Sequence, residues 1–222
     1  MGNEQPTSFA AAGVVELRRY TVRPGGFAVL ARLFDDHLIA GQHAAGMLIG
    51  TVYEDLDRPD RFVWWRAFTD MEQRRDALEA FYGGPVWAAH RTEANGAMID
   101  SDDVRLLRHT DPPHARAAQA AVTATMIVRD PGPSFAQALP DLLEDALQVP
   151  VSTWRTEPAE NTFPRLPVRP GPVSVWSAGF DGPAELAAAT DRLHADPRWV
   201  RGLDAHAGEV ELMRLRPVTS GT

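Results

Sequence analysis

The 222-residue chain has no cysteine and, among its 22 basic residues, no lysine. Without a thiol there is no thiolate nucleophile, no disulfide framework and no Cys-ligated zinc or iron–sulfur cluster. Without lysine there is no Schiff-base chemistry and no phosphate-loop lysine. An all-arginine basic set fits a GC-rich bacterial genome. Positive charge is scarce overall: the formal net charge is -8 and the pI near 5.3, which excludes the basic stripe that nucleic-acid binders present. Long apolar runs are missing too, since no stretch approaches the roughly 18 residues of a membrane span. The start, MGNEQPTSFAAAGVV, lacks the basic and apolar regions of a signal peptide, and Pro6 sits where a myristoylation signal wants Ser or Thr. The expectation is a cytoplasmic protein without membrane or nucleic-acid partners.

A degenerate tandem repeat is what the sequence does contain. Pro85-Val86-Trp87 leads to the short apolar run Val104–Arg108, and Pro197-Arg198-Trp199 leads to Val210–Arg214. With 44% hydrophobic residues the chain can bury two cores of roughly 100 residues each. In the first half, strands are expected at Val14–Val22, 46–54, 61–68 and 102–108, with helices at 27–42, from Thr69 to Tyr82, and after Pro85. Thr69-Asp70-Met71-Glu72 matches a capping box, and Asp100-Ser101-Asp102-Asp103 reads as a helix-to-strand turn. The second half repeats the order at 122–129, 134–148, 151–156, 173–180, 183–194 continuing after Pro197, and 210–216. Strand, helix, strand, strand, helix, strand is the split βαβ of a ferredoxin-like unit. The expected organisation is a flexible arm over 1–12, a first unit over 13–108, a linker over 109–120, a second unit over 121–217 and a tail over 218–222. The proline-braced arm 157–171 has no counterpart in the first half, and long loops of this kind are functional or packed on a partner.

The run Arg61–Phe68 is apolar on both alternating faces, so both faces of its sheet should be covered. Two such units packed sheet on sheet within one chain make an α+β fold, an intrachain α/β barrel. The space between the sheets is then the natural cavity for a small molecule.

Val15-Glu16-Leu17-Arg18, Asp60-Arg61-Phe62-Val63-Trp64, Phe68-Thr69-Asp70-Met71-Glu72, Phe81-Tyr82-Gly83-Gly84-Pro85-Val86-Trp87, His90-Arg91 and Thr156–Arg169 together resemble the NIPSNAP family. The resemblance implies the dimeric α/β-barrel superfamily, whose branches include cofactor-independent monooxygenases and heme-dependent enzymes, and it implies a homodimer. It carries no catalytic residues over, because the family has no single activity.

On the helix after Pro85, Trp87, His90, Arg91 and Ala94 share one face. His90 is then a candidate general base and Arg91 a candidate cation for an enolate, or the two form a polar helix edge. The second repeat has Gly202-Leu203 at these positions. Tyr20 is a candidate catalytic hydroxyl, and Tyr53, Trp65, Trp87 and Trp176 are candidate ligand-binding walls, with core packing as the alternative for each. Asn161 and Arg165 lie on the proline-braced arm, as a clasp across a dimer or a lid. No metal-binding spacing is present, and one axial histidine, His90, His194 or His206, would suffice for heme. The expected function is a metal- and nucleotide-independent enzyme on a hydrophobic or aromatic, polyketide-like small molecule, a candidate cofactor-free monooxygenase. The alternatives are a non-catalytic binding or scaffold protein, and a heme enzyme.

Overall fold

The computed structural model describes residues 5–110, 120–206 and 209–218, with the side chains of 204–206 left aside. Most of the expected linker, the ends of the N-terminal arm and tail, and the His206 imidazole lie outside the described residues. The chain forms two compact units: one of 1–108, 157–170 and 218–222, the other of 109–156 and 171–217.

Unit 1 runs β1 (Val14–Val22), α1 (Gly26–Leu33), a π turn (Phe34–Leu38), α2 (Ile39–Ala44), β2 (Leu48–Asp55), β3 (Arg61–Phe68), α3 (Met71–Tyr82), α4 (Pro85–Ala97) and β4 (Met98–His109). Its antiparallel sheet has the order β4-β1-β3-β2, the ferredoxin-like order. Val14, Tyr20, Val22, Phe62, Trp64 and Phe68 form the helix-facing side of its core. The alternate residues of β3 are buried as well, as its two-sided apolar pattern requires.

Unit 2 repeats the plan with β5 (Val122–Arg129), α5 (Pro133–Leu147), β6 (Val151–Thr156), β7 (Val173–Phe180), α6 (Pro183–Ala195), α7 (Pro197–His206) and β8 (Val210–Pro217), in the sheet order β6-β7-β5-β8. Its core joins apolar residues with a few buried Thr and Ser, and no charged side chain is buried there among the described residues.

Three local expectations are corrected. Asp70, not Thr69, caps α3: its carboxylate accepts from the Glu72 and Gln73 amides at 2.9 and 2.8 Å. Asp100–Asp103 is strand rather than turn, because β4 pairs with β1 as far as Met98 through a register shift near Thr21. The first helix is not uniform, for the Ile39 amide bonds the Phe34 carbonyl five residues back. That one-residue insertion lets Leu33, Phe34 and Leu38 all turn inward while Asp35 and Asp36 stay exposed.

Candidate functional site

Three alternate residues of β1, Glu16, Arg18 and Tyr20, project to the helix-covered face of the sheet, and Glu16 stands opposite Arg66 on β3. All four are buried. Glu16 Oε2 accepts from Arg18 Nη1 at 2.6 Å and from Arg66 Nε at 2.7 Å, while Oε1 accepts from Arg74 Nε of α3 at 2.6 Å. Arg18 Nε donates to the Tyr20 hydroxyl at 2.8 Å. Arg66 Nη1 donates to Gln42 Oε1 at 3.3 Å, and Arg74 Nη1 to Asn161 Oδ1 at 3.0 Å. The guanidiniums also lie against aromatic rings, Arg18 over Tyr20 and Trp64 and Arg66 over Trp64 and Phe68.

One carboxylate therefore faces three guanidiniums, a buried excess of two positive charges. Burial alone would raise the Glu16 carboxyl, yet the charges of Arg66, Arg74 and Arg18 outweigh it and hold the group well below the usual carboxylate range. Burial drives Arg74 down against the pull of Glu16. Arg18 moves the other way, because Tyr20 and Glu16 together overcome its burial. The Tyr20 phenol is raised by burial, so it stays protonated and able to donate.

Arg18 and Tyr20 line a cavity of about 80 Å³ between this sheet face and the helices. Trp64, Phe34 and Leu38 wall it, and Tyr82, Trp87, Asn95, Ser101 and Leu166 complete it toward the exposed residues. The bonds of Arg18 engage Nε and Nη1, which leaves Nη2 uncommitted in a side chain that lines the cavity. Arg66 Nη2, Arg74 Nη2 and Trp64 Nε1 are buried donors without a partner among the described residues.

Unit 2 supplies an internal comparison. The register sets Val14 opposite Phe68 in unit 1 and Val122 opposite Phe180 in unit 2, so these pairs correspond. Stepping along the strands and into the next helix, Glu16, Arg18, Tyr20, Arg66 and Arg74 correspond to Ala124, Met126, Val128, Ala178 and Leu186, all in the apolar core of unit 2. Trp64 corresponds to Trp176, and Trp87 to Trp199, by the same stepping. The same architecture thus stands without the charged cluster, and well-packed apolar side chains are usually at least as stabilising as a buried ion network.

Of the residues singled out from sequence, Tyr20 and Trp87 line the cavity. Trp65 and Tyr53 are buried on the opposite face of the unit 1 sheet, away from Trp64. Trp176 is buried in the unit 2 core. His90 and Arg91 do not line the cavity: the His90 ring stacks on His37 at 4.0 Å, and Arg91 is exposed. Asn161 and Arg165 belong to the arm, which packs on unit 1 of its own chain. Asn161 holds Arg74 and, through Nδ2, the Leu166 carbonyl at 2.8 Å; Arg165 lies over the Phe163 ring, which stacks on Tyr82. This cavity sits under the helices of unit 1, on the other side of its sheet from Trp65 and Tyr53. Glu16, Arg18, Arg66 and Arg74 were missed as site residues, although charges at two-residue spacing in a strand whose repeat reads Ala-x-Met were a usable signal.

No histidine lines the cavity, and its volume is well short of the roughly 300–1,000 Å³ of pockets for drug-sized ligands, so these residues do not fit a heme. Among the described residues there is no cluster of three or more potential metal ligands and no helix long and apolar enough to cross a membrane.

Residues 15–112 match the family model described as NIPSNAP. Solved structures share the fold across almost the whole chain. An anthrone oxidase-like protein superposes with a TM-score of 0.61 at 15% identity, covering 95% of this chain and 93% of the other. A candidate monooxygenase from Fusobacterium nucleatum gives 0.57 at 7% identity, covering 94% of each chain. Another, from Lactobacillus acidophilus NCFM, gives 0.52 at 10% identity, covering 94% of this chain and 95% of the other. These likenesses establish the tandem ferredoxin-like fold. No curated protein matches the sequence.

Proposed function

We propose that unit 1 is the reaction site of a small-molecule enzyme of the oxygenase type, working without metal or nucleotide, and that unit 2 is a structural copy. The observation that carries this reading is the asymmetry between the units: a charged cluster at positions that unit 2 fills with Ala124, Met126, Ala178 and Leu186. Charges buried where the fold does not need them point to a functional role.

The names of the solved structures that share the fold put oxygenation first among the reactions to test. A substrate acidic enough to give up one C–H proton to solvent is an enolate, whose carbon attacks dioxygen and forms a C–O bond. A solvent proton gives the hydroperoxide, and cleavage of its O–O bond with loss of the second C–H proton releases water and leaves a carbonyl. A CH₂ group becomes C=O, one dioxygen supplies the new oxygen and the oxygen of water, and no outside reductant enters. Arg18, backed by Arg66 and Arg74, holds negative charge as it develops on the substrate oxygen, and the Tyr20 hydroxyl donates to it. Trp64, Phe34 and Leu38 keep water away from the carbanion. The cavity is too small for a tricyclic ligand in this state, so the substrate's reactive head enters and its remainder extends past Asn95.

The experiment is aerobic incubation of the full chain with a panel of small enolisable ketones and phenols, followed by mass spectrometry. Products gaining one oxygen and losing two hydrogens are expected, and Arg18→Met lowers their rate at least tenfold. A second reading, a binding protein that retains its ligand unchanged, is favoured by the lack of a carboxylate or histidine base in the cavity lining. Ligand retained in native mass spectra with no product across the panel establishes that reading and removes the first.

A further inference from the structure

The orphan polar atoms of the charged cluster and of the cavity lining it reaches through Arg18 are donors. Arg66 Nη2, Arg74 Nη2 and Trp64 Nε1 are buried donors, and Arg18 Nη2 and the Tyr20 hydroxyl are uncommitted donors on the cavity lining. Within this group nothing is short of a donor. Both oxygens of Glu16, the one carboxylate present, are already taken by three guanidiniums. What would complete the cluster is an acceptor that carries negative charge.

The lining sharpens the requirement. Apart from Arg18 its polar members are Tyr20, Gln42, Tyr82, Asn95 and Ser101, with the Trp64 and Trp87 indoles. None is an ordinary base near neutral pH, so a ligand that must lose a proton does so by its own acidity. None is anionic, so nothing there repels an anion. Trp64, Phe34 and Leu38 offer an apolar wall to the rest of the molecule. At about 80 Å³ the space takes a few heavy atoms and excludes a fused ring system.

We infer that the ligand of this cavity arrives as an anion: a small organic acid, a carboxylate or acidic enol already ionised in solution, whose oxyanion takes Arg18 Nη2 and the Tyr20 hydroxyl while its apolar body lies against Trp64. This rests on the proposed function for the location of the site and adds the class of substrate. Arg66 and Arg74 act from behind, as positioning residues: Glu16 ties them to Arg18 and fixes its guanidinium, and their excess charge deepens the potential at the cavity floor.

The test is isothermal titration of the full chain with crotonate and with crotonamide, which has nearly the same shape and no charge. Crotonate is expected to bind at least about tenfold tighter, since charge-assisted hydrogen bonds are roughly twice as strong as neutral ones. Arg18→Met, which installs the residue unit 2 uses, removes that preference while circular dichroism stays unchanged. Tyr20→Phe lowers crotonate affinity several-fold and serves as a second probe if Arg18→Met fails to fold. Equal affinity for acid and amide, an unchanged preference in both variants, or no binding of crotonate, propionate or benzoate into the millimolar range overturns the inference. Full displacement of crotonate by equimolar chloride does so too, for the site would then be one for an inorganic ion. Oxygen uptake is read separately. Acid bound tightly without turnover of any panel compound leaves the anion site standing and removes the oxygenase, whereas turnover of a neutral ketone with no acid binding does the reverse.

Discussion

A carboxylate with no exposed surface and three guanidiniums around it is held in its charged form, and Glu16 is that residue. Its removal strands Arg18, Arg66 and Arg74 in a dry interior. Glu16→Gln, with one oxygen lost and no charge, is therefore expected to destabilise the protein by about 3–5 kcal/mol, the usual result of breaking a buried pair from one side. Urea unfolding of both proteins at neutral pH checks it. The pH dependence follows from the same contacts. Because the folded carboxyl titrates well below its unfolded value of 4.5, the folded state binds fewer protons than the unfolded state over that interval. Its stabilisation is complete above pH 4.5 and fades as the pH falls toward the folded value. Wild-type stability should fall with acid across this window, and Glu16→Gln should show a shallower fall; parallel slopes would remove Glu16 from the acid response. At this scale the sequence was least legible. An arginine in a strand ordinarily faces water, so its type alone does not mark Arg18 or Arg66 as a site residue; only the shared carboxylate of Glu16 and the approach of Arg74 from the next helix reveal the buried cluster.

Strands and helices were far easier to read. The strands of Val14–Val22, Val122–Arg129, Val151–Thr156 and Val173–Phe180 end where the sequence predicts, because each is rich in β-branched and aromatic residues and is closed by Pro, Gly or a polar turn. The Pro-x-Trp helices stood out because proline suits a first helical turn and tryptophan must be packed. The π turn at Phe34–Leu38 was illegible, since one inserted residue leaves hydrophobic periodicity almost intact. His90 looked asymmetric for a related reason: its counterpart Gly202 is required because a Cβ there would collide with the Phe135 ring, which makes that difference a matter of packing in unit 2. The meaningful asymmetry lies one layer deeper, on the sheet. Replacing Glu16, Arg18, Arg66 and Arg74 together by Ala, Met, Ala and Leu converts the layer to the unit 2 solution. This fourfold variant should fold and unfold at a higher temperature than Glu16→Gln, because no unpaired charge remains. It should also bind no crotonate. Calorimetry of the two variants side by side decides it, and a fourfold variant melting below the single one would mean that the cluster holds unit 1 together.

Taken as a whole, the chain carries -8, while Glu16 with Arg18, Arg66 and Arg74 carries +2, so all other residues together carry -10. A positive cluster lies buried in a chain that is negative overall. An organic anion approaching from solution is first repelled and is attracted only once it is within reach of Arg18. Added salt shrinks the Debye length to about 10 Å at 0.1 M and screens the exposed charge far more than the buried cluster. Association should therefore speed up as ionic strength rises while dissociation changes little, the reverse of an electrostatically steered enzyme, and stopped-flow quenching of Trp64 and Trp87 can follow it. The buried arginines then act as a filter in time as well as in chemistry: the net negative charge slows the approach of an anion, and the cluster holds the one that reaches Arg18.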